Sequence, residues 1–172
     1  MKKILPLFLL LLCACSPKIE REDYYVLSLD GYTVVPGYDD VSFLKLVFDF
    51  VLPQYQTEEK MEAVDLYLMG TYLAMADFHP LGKETEAEKA LLNRFTFYLD
   101  DYYFDELKID QIPLKSSIRE NCELFGGEYI ERNGCACAFG KKVDGKDNIV
   151  ILHGDILAQD QDALDHIEIY VE

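Results

Sequence analysis

After residue 23, the pattern of apolar and polar residues first predicts a β-hairpin. Residues 24–29 are rich in aromatic and β-branched side chains, Asp30-Gly31 is a typical hairpin turn, and residues 32–35 can return as the partner strand. The next stretch, residues 41–52, has two interpretations. Its apolar side chains alternate as in a strand, whereas its polar side chains fall on one helical stripe, and we expect a helix.

The middle of the chain predicts two amphipathic helices. Thr57 suits an N-cap and is followed by apolar residues at spacings of three and four, namely Met61, Val64, Leu68, Tyr72 and Met75. Residues 78–82 interrupt this pattern. Thr85 and Glu88 then form a capping box before a second helical set, which consists of Leu91, Phe95, Tyr98 and Tyr102. The short link between the two helices indicates an antiparallel helical hairpin.

The last third of the chain predicts mostly strands. A strand and turn are expected in residues 107–114, a short helix in residues 116–125, and short strands in residues 129–131, 136–139 and 148–153. Ile167, Ile169 and Val171 alternate with other residues as in a half-buried closing strand. The predicted fold class is therefore α+β: one domain, residues 24–172, with the helical hairpin packed on a mostly antiparallel sheet.

The first fifteen residues have the pattern of an export signal. Lys2 and Lys3 precede an almost wholly apolar run, residues 4–12. A membrane-spanning helix needs roughly twenty apolar residues, so this run is too short to span a bilayer and fits a secretory signal instead. Leu12-Cys13-Ala14-Cys15 follows, with an aliphatic residue three positions before Cys15 and a small residue directly before it.

This segment resembles the lipobox family of bacterial lipoprotein signals. The resemblance implies cleavage after Ala14, which removes residues 1–14 as a signal peptide, and a covalent diacylglycerol on Cys15. Cys13 fits less well because bulky Leu12 precedes it. Residues 15–23 are then a lipidated N-terminus and short tether, on the extracytoplasmic face of the cell membrane or an outer membrane. The alternative is an ordinary secretory signal that contains a chance cysteine.

The charge of the chain limits its partners. The formal net charge is −16, and loss of residues 1–14 makes it more negative because they contain two lysines and no acidic residue. Such a surface is expected to repel nucleic acid and anionic lipid headgroups. The expected partners are the membrane, through the lipid anchor, and an unknown envelope protein or ligand, and no cofactor is expected besides the lipid on Cys15.

Three cysteines lie beyond the anchor: Cys122, Cys135 and Cys137. Outside the cytoplasm one disulfide is expected. Cys135 and Cys137 share one face of a predicted strand, so either could pair with Cys122, and we predict Cys137 because the strand continues beyond it. Two alternatives remain: three reduced, buried thiols, or a zinc site completed by His153 or His166, although Cys-x-Cys lacks the usual zinc-knuckle spacing.

An acidic segment near the end of the chain offers candidate ligands for a divalent cation. The candidates are Asp155, Asp160, Asp162, Asp165 and His166. Because the segment lacks the EF-hand pattern, a solvated acidic turn is the favoured interpretation. His153 and Asp155 could act as a base and its orienting carboxylate, but no catalytic motif accompanies them, and we predict no catalytic residue.

The expected function follows from these observations. We expect a non-enzymatic binding or interaction domain for an unknown ligand, on a membrane-anchored lipoprotein. The alternative is a divalent-cation-dependent envelope enzyme or a cation-binding protein that uses the acidic residues between His153 and His166. The chain has 12 tyrosines and 10 phenylalanines, which we assign to core packing, and His79 is assigned to a helix end.

Overall fold

A computed structural model describes residues 19–29, 31–51, 63–79, 89–99, 107–131, 134–155 and 161–172. In chain order, its strands are β1 (Leu27–Leu29), β2 (Tyr32–Val34), β3 (Val64–Leu68), β4 (Thr71–Phe78), β5 (Leu92–Tyr98), β6 (Leu107–Ile109), β7 (Ile112–Pro113), β8 (Glu128–Glu131), β9 (Cys135–Val143), β10 (Lys146–Gly154) and β11 (Leu164–Val171). The helices are α1 (Val41–Leu44) and α2 (Ile118–Phe125), and Arg21–Asp23 forms a 3-10 turn.

The strands form two antiparallel sheets. A four-stranded sheet has the order β2-β1-β6-β7, and a seven-stranded sheet has the order β3-β4-β5-β11-β10-β9-β8. The last strand, β11, therefore lies in the middle of the larger sheet and pairs with both β5 and β10. This placement brings together strands that are far apart in the chain.

One hydrophobic cluster contains side chains from both sheets and both helices. Its fully buried members include Leu27, Ile109, Leu44, Ile118, Phe95, Phe97, Ile167 and Leu152. Along β11, Ile167, Ile169 and Val171 are buried, whereas the residues between them are only partly buried. The larger sheet therefore has an inner face that packs in the core and an outer face on its other side.

The predicted helical hairpin is wrong. Its described residues form β3, β4 and β5, and the fold is mostly β. In β3, buried Val64 and Leu66 alternate with exposed Asp65 and Tyr67, which is the pattern of a strand. The pairing of β4 with strands on both sides outweighs the three-and-four spacing of its apolar residues. Thr57, Met61, Thr85, Glu88 and Tyr102 lie outside the described residues.

The predicted helix in residues 41–52 is correct only at its start. Asp40 caps α1 by accepting a hydrogen bond from the Phe43 backbone N–H at 2.9 Å. The chain then becomes extended, because Asp49 exchanges two backbone hydrogen bonds with Tyr67 on β3, at 2.8 and 3.0 Å. The second half of this segment therefore extends the sheet edge instead of continuing the helix.

The elements predicted for the last third of the chain are confirmed. Ser117 caps α2 by accepting a hydrogen bond from the Glu120 backbone N–H, and Gly126 ends the helix in the left-handed conformation, with φ of 64°. The strands β8 to β11 follow in the predicted order. Short-range signals were sufficient where a described turn carries typical turn residues, as Asp144-Gly145 does between β9 and β10.

Candidate functional site

The outer face of the seven-stranded sheet carries a continuous line of rings. We call it the aromatic row, and it consists of Tyr67, Tyr72, Tyr98, His166 and His153 on the neighbouring strands β3, β4, β5, β11 and β10. Successive ring centroids lie 5.9, 5.7, 5.5 and 4.2 Å apart. These spacings are those of interacting aromatic side chains, so the rings support one another across five strands.

The tyrosine half of the aromatic row is the more exposed half. Tyr67 is 37% exposed and Tyr72 is 41% exposed. Burial against its surroundings, together with Tyr98 and Asp65, raises the pKa of Tyr72 to about 12. Its hydroxyl therefore stays protonated and neutral, and a hydrogen bond with Tyr98 contributes to this shift.

The histidine half of the row is held by two carboxylates. The rings of His153 and His166 are nearly parallel, with an interplanar angle of 8°. His166 Nδ1 lies 2.6 Å from Asp165 Oδ2, and His153 Nε2 lies 3.4 Å from Glu168 Oε2. The 2.6 Å contact is short enough for a strong hydrogen bond, which orients the His166 ring.

Glu168 also binds the one arginine on this face among the described residues. Arg94 Nε lies 3.1 Å from Glu168 Oε1, and its guanidinium lies over the Tyr170 ring, 5.0 Å from the centroid. The contact with His153, followed by the charge of Arg94, holds the pKa of Glu168 below its usual range, against the effect of burial. The carboxylate is therefore ionised. It connects His153 of the aromatic row with Arg94, which lies over the Tyr170 ring.

The predicted cation ligands that the structure describes do not form one site of three or more residues. Asp162 caps α2: its carboxylate accepts hydrogen bonds from the Ser117 hydroxyl, the Arg119 backbone N–H and the Tyr129 hydroxyl. Burial alone would raise the pKa of Asp162, but these hydrogen bonds bring it below its ordinary value. Asp165 binds His166, and Asp160 lies outside the described residues.

A metal centre finds no geometric support in the described residues. No group of three or more His, Cys, Asp and Glu side chains among them is arranged to hold a metal ion. His153 and Asp155 were considered above as a base and its orienting carboxylate. His153 lies on β10 and Asp155 directly follows that strand, and the carboxylate that His153 Nε2 contacts is Glu168, at 3.4 Å. His79 directly follows β4, so its assignment to a helix end was wrong.

The three cysteines within the described residues form one bridge and one free thiol. Cys122 on α2 and Cys137 on β9 form a disulfide, with their Cα atoms 5.4 Å apart. This is the pair that the sequence favoured. Cys135 is a free, half-buried thiol whose Sγ lies 3.1 Å from the Tyr129 hydroxyl. A Cβ at Gly127 would lie 2.7 Å from Cys137 Sγ, so glycine is needed where the chain passes the bridge.

The residues of the predicted anchor lie outside the described part of the chain. This applies to Cys15, Ala14 and the apolar run before them. No helix within the described ranges is long and apolar enough to cross a membrane.

Sequence reasoning missed the aromatic row except for its histidines. Tyr72 and Tyr98 were assigned to buried faces of two helices, and Glu168 and Arg94 were not singled out. The signal that could have found the row is the alternation of these residues with buried neighbours, such as Phe97 beside Tyr98.

The chain matches no protein-family model, no curated protein and no solved structure, so its function has to be inferred from these residues themselves.

Proposed function

We propose that this chain is a lipoprotein, anchored by lipid on Cys15 to the extracytoplasmic face of a membrane, and that its folded domain binds a partner without acting as an enzyme. The strongest support for the anchor is the order of Lys2-Lys3, the apolar residues 4–12 and Leu12-Cys13-Ala14-Cys15. The Cys122–Cys137 disulfide agrees with an oxidising compartment, since cytosolic proteins keep their thiols reduced.

The aromatic row supports the binding function. Tyrosines are enriched where proteins meet, because each combines a large apolar surface with a hydroxyl that can form a hydrogen bond. Tyr67 and Tyr72 are exposed side by side on the outer face of the larger sheet, where a partner can reach them. The net charge of −16 and the electron-rich faces of the tyrosines favour a partner with positive charge. The proposed partner is a basic segment of another envelope protein.

The anchor is tested by substituting the two cysteines of the signal segment. Cys15→Ala should abolish metabolic fatty-acid labelling and move the protein out of the membrane fraction, because the lipid has no attachment atom. Cys13→Ala is the matched control, and it should leave labelling and fractionation unchanged because the residue is removed with the signal peptide. Labelling that survives Cys15→Ala would rule out the lipobox assignment.

The binding surface is tested with two equivalent tyrosines. Tyr72 in the aromatic row is 41% exposed, and Tyr32 on the four-stranded sheet is 43% exposed. Wild type and Tyr32→Ala should capture the same basic protein from detergent-solubilised envelopes, whereas Tyr72→Ala should capture roughly tenfold less, as expected for an interface tyrosine. If Tyr72→Ala and Tyr32→Ala behave alike, the row is not the binding surface.

A further inference from the structure

The tether meets the folded domain at one defined place. Ile19, the first described residue, packs with Val26 against a small buried cluster of Tyr24, Val35, Val143 and Val171. We call this part of the molecule the anchor end. It contains the last residue of β9 and the last residue of β11, so it lies at one end of the strands of the seven-stranded sheet.

An ion pair fixes the tether there. Arg21 donates two hydrogen bonds to the buried Asp39 carboxylate, at 3.1 and 3.0 Å, and a third to the Thr33 carbonyl at 3.1 Å. Asp39 also accepts a hydrogen bond from the Val35 backbone N–H at 2.7 Å. Because Arg21 is two residues after Ile19, side-chain contacts fix the place on the domain at which the tether is attached.

The reach from the anchor end to the lipid is short. Cys15 and Ile19 are four residue-to-residue steps apart, and at most 3.6 Å per step the chain between them spans about 14 Å. The aromatic row lies towards the opposite end of the strands: five residues of β11, about 17 Å, separate Val171 from His166. The Met69-Gly70 turn between β3 and β4 lies beyond the row and is therefore still farther from the anchor end.

We infer that the anchor end faces the membrane, with a lipid surface as its partner, and that the aromatic row points away from the membrane. This inference rests on the proposed lipid anchor on Cys15. It places the exposed Tyr67 and Tyr72 where a partner embedded in another layer of the envelope, or free in the space outside the membrane, can reach them.

The orientation is tested on the intact, lipidated protein in phosphatidylcholine vesicles that contain a nitroxide headgroup lipid. Cys135→Ala removes the free thiol, and a fluorophore is then attached through Glu172→Cys at the anchor end or through Met69→Cys at the far turn. Both original residues are exposed, so the labels should not disturb the core. Quenching should be several-fold stronger at position 172 than at position 69.

The outcomes separate the inference from the function on which it rests. Protein that fails to float with the vesicles would refute the lipid anchor and the orientation together. Vesicle-bound protein with equal quenching at both positions, or stronger quenching at position 69, would refute the orientation and leave the anchor standing. In vesicle-bound protein, Arg21→Met should reduce the difference in quenching between positions 172 and 69, because the substitution removes the ion pair that holds the tether on the domain.

Discussion

The bridge between Cys122 and Cys137 joins α2 to the first half of β9 across fifteen residues of chain. Its loss, through Cys122→Ala with Cys137→Ala, should reduce the free energy of unfolding. The chain-entropy model gives about 3 kcal/mol for a loop of this length. For a domain of this size, that corresponds to a Tm lower by roughly 6–12 °C.

The variant should still fold, because α2 has other attachments. Ile118 and Asn121 are fully buried, and the Asn121 side chain exchanges hydrogen bonds with the backbone of Lys115 at 2.8 Å in both directions. The Asp162 carboxylate holds the N-terminus of the same helix. The loss should therefore appear as lower stability of an intact fold, with an unchanged far-ultraviolet circular dichroism spectrum.

The assay is urea and thermal unfolding of the protein with and without a reducing agent. Wild type should lose stability on reduction and approach the double variant, whereas the double variant should not respond. Cys135→Ala is the matched control, two residues away on the same strand, and it should keep the reductant response of wild type. If reduction leaves the unfolding curve of wild type unchanged, the bridge does not stabilise the domain and the reasoning fails.

Three further predictions concern charged side chains. Arg21→Met should cost about 3 kcal/mol in urea unfolding because it leaves the buried Asp39 carboxylate without its ion pair, and Asp39→Asn in the same chain should restore part of the loss. Asp162→Ala should cost about 1–2 kcal/mol in urea unfolding because the N-terminus of α2 loses its acceptor, and an unchanged midpoint would argue against this cap. The pKa of Glu168 is lowered in the folded state, so its ionised form stabilises the fold above its ordinary pKa and this contribution disappears as the pH falls through the folded value. Wild type should therefore lose more stability than Glu168→Gln in urea titrations as the pH falls through the ordinary glutamate pKa and below it, and parallel losses would contradict the prediction.

The last third of the fold could be predicted because its signals are local. Ser117 and Gly126 mark the two ends of α2, and Asp144-Gly145 marks the turn between β9 and β10. Each of these residues has the conformation that its type favours. The same holds for the β1–β2 hairpin, where Gly31 has φ of 89°.

The β3–β4 hairpin could not be recognised in the same way. Its two turn residues, Met69 and Gly70, both have positive φ, 52° and 83°, and methionine is not a residue that marks such a turn. Without a turn signal, Val64, Leu68, Tyr72 and Met75 fit a helix. The strand is favoured over the helix by pairing partners far along the chain. Phe95 and Phe97 of β5 pair with β4 and are fully buried.

The aromatic row could not be predicted for a related reason. Tyr67 and His166 are almost a hundred residues apart, and they belong to one surface only because β11 lies between β5 and β10. His153 and His166 were recognised together because β10 and β11 are consecutive in the chain and adjacent in the sheet. Strand order beyond consecutive pairs depends on the whole core, which no short sequence pattern records.

The position of β11 also connects the fold with the anchor. β11 supplies Ile167 and Ile169 to the main core and Val171 to the cluster that holds Ile19 and Tyr24. A Cβ at Gly37 would lie 2.7 Å from a Val171 methyl carbon and 2.6 Å from the Tyr24 ring, so these parts fit closely only once the last strand is in place. The attachment of the tether and the centre of the larger sheet are therefore completed by the same strand. Because β11 pairs on both edges, it cannot leave the sheet without breaking two ladders, and Val171 is therefore held in place at the anchor end.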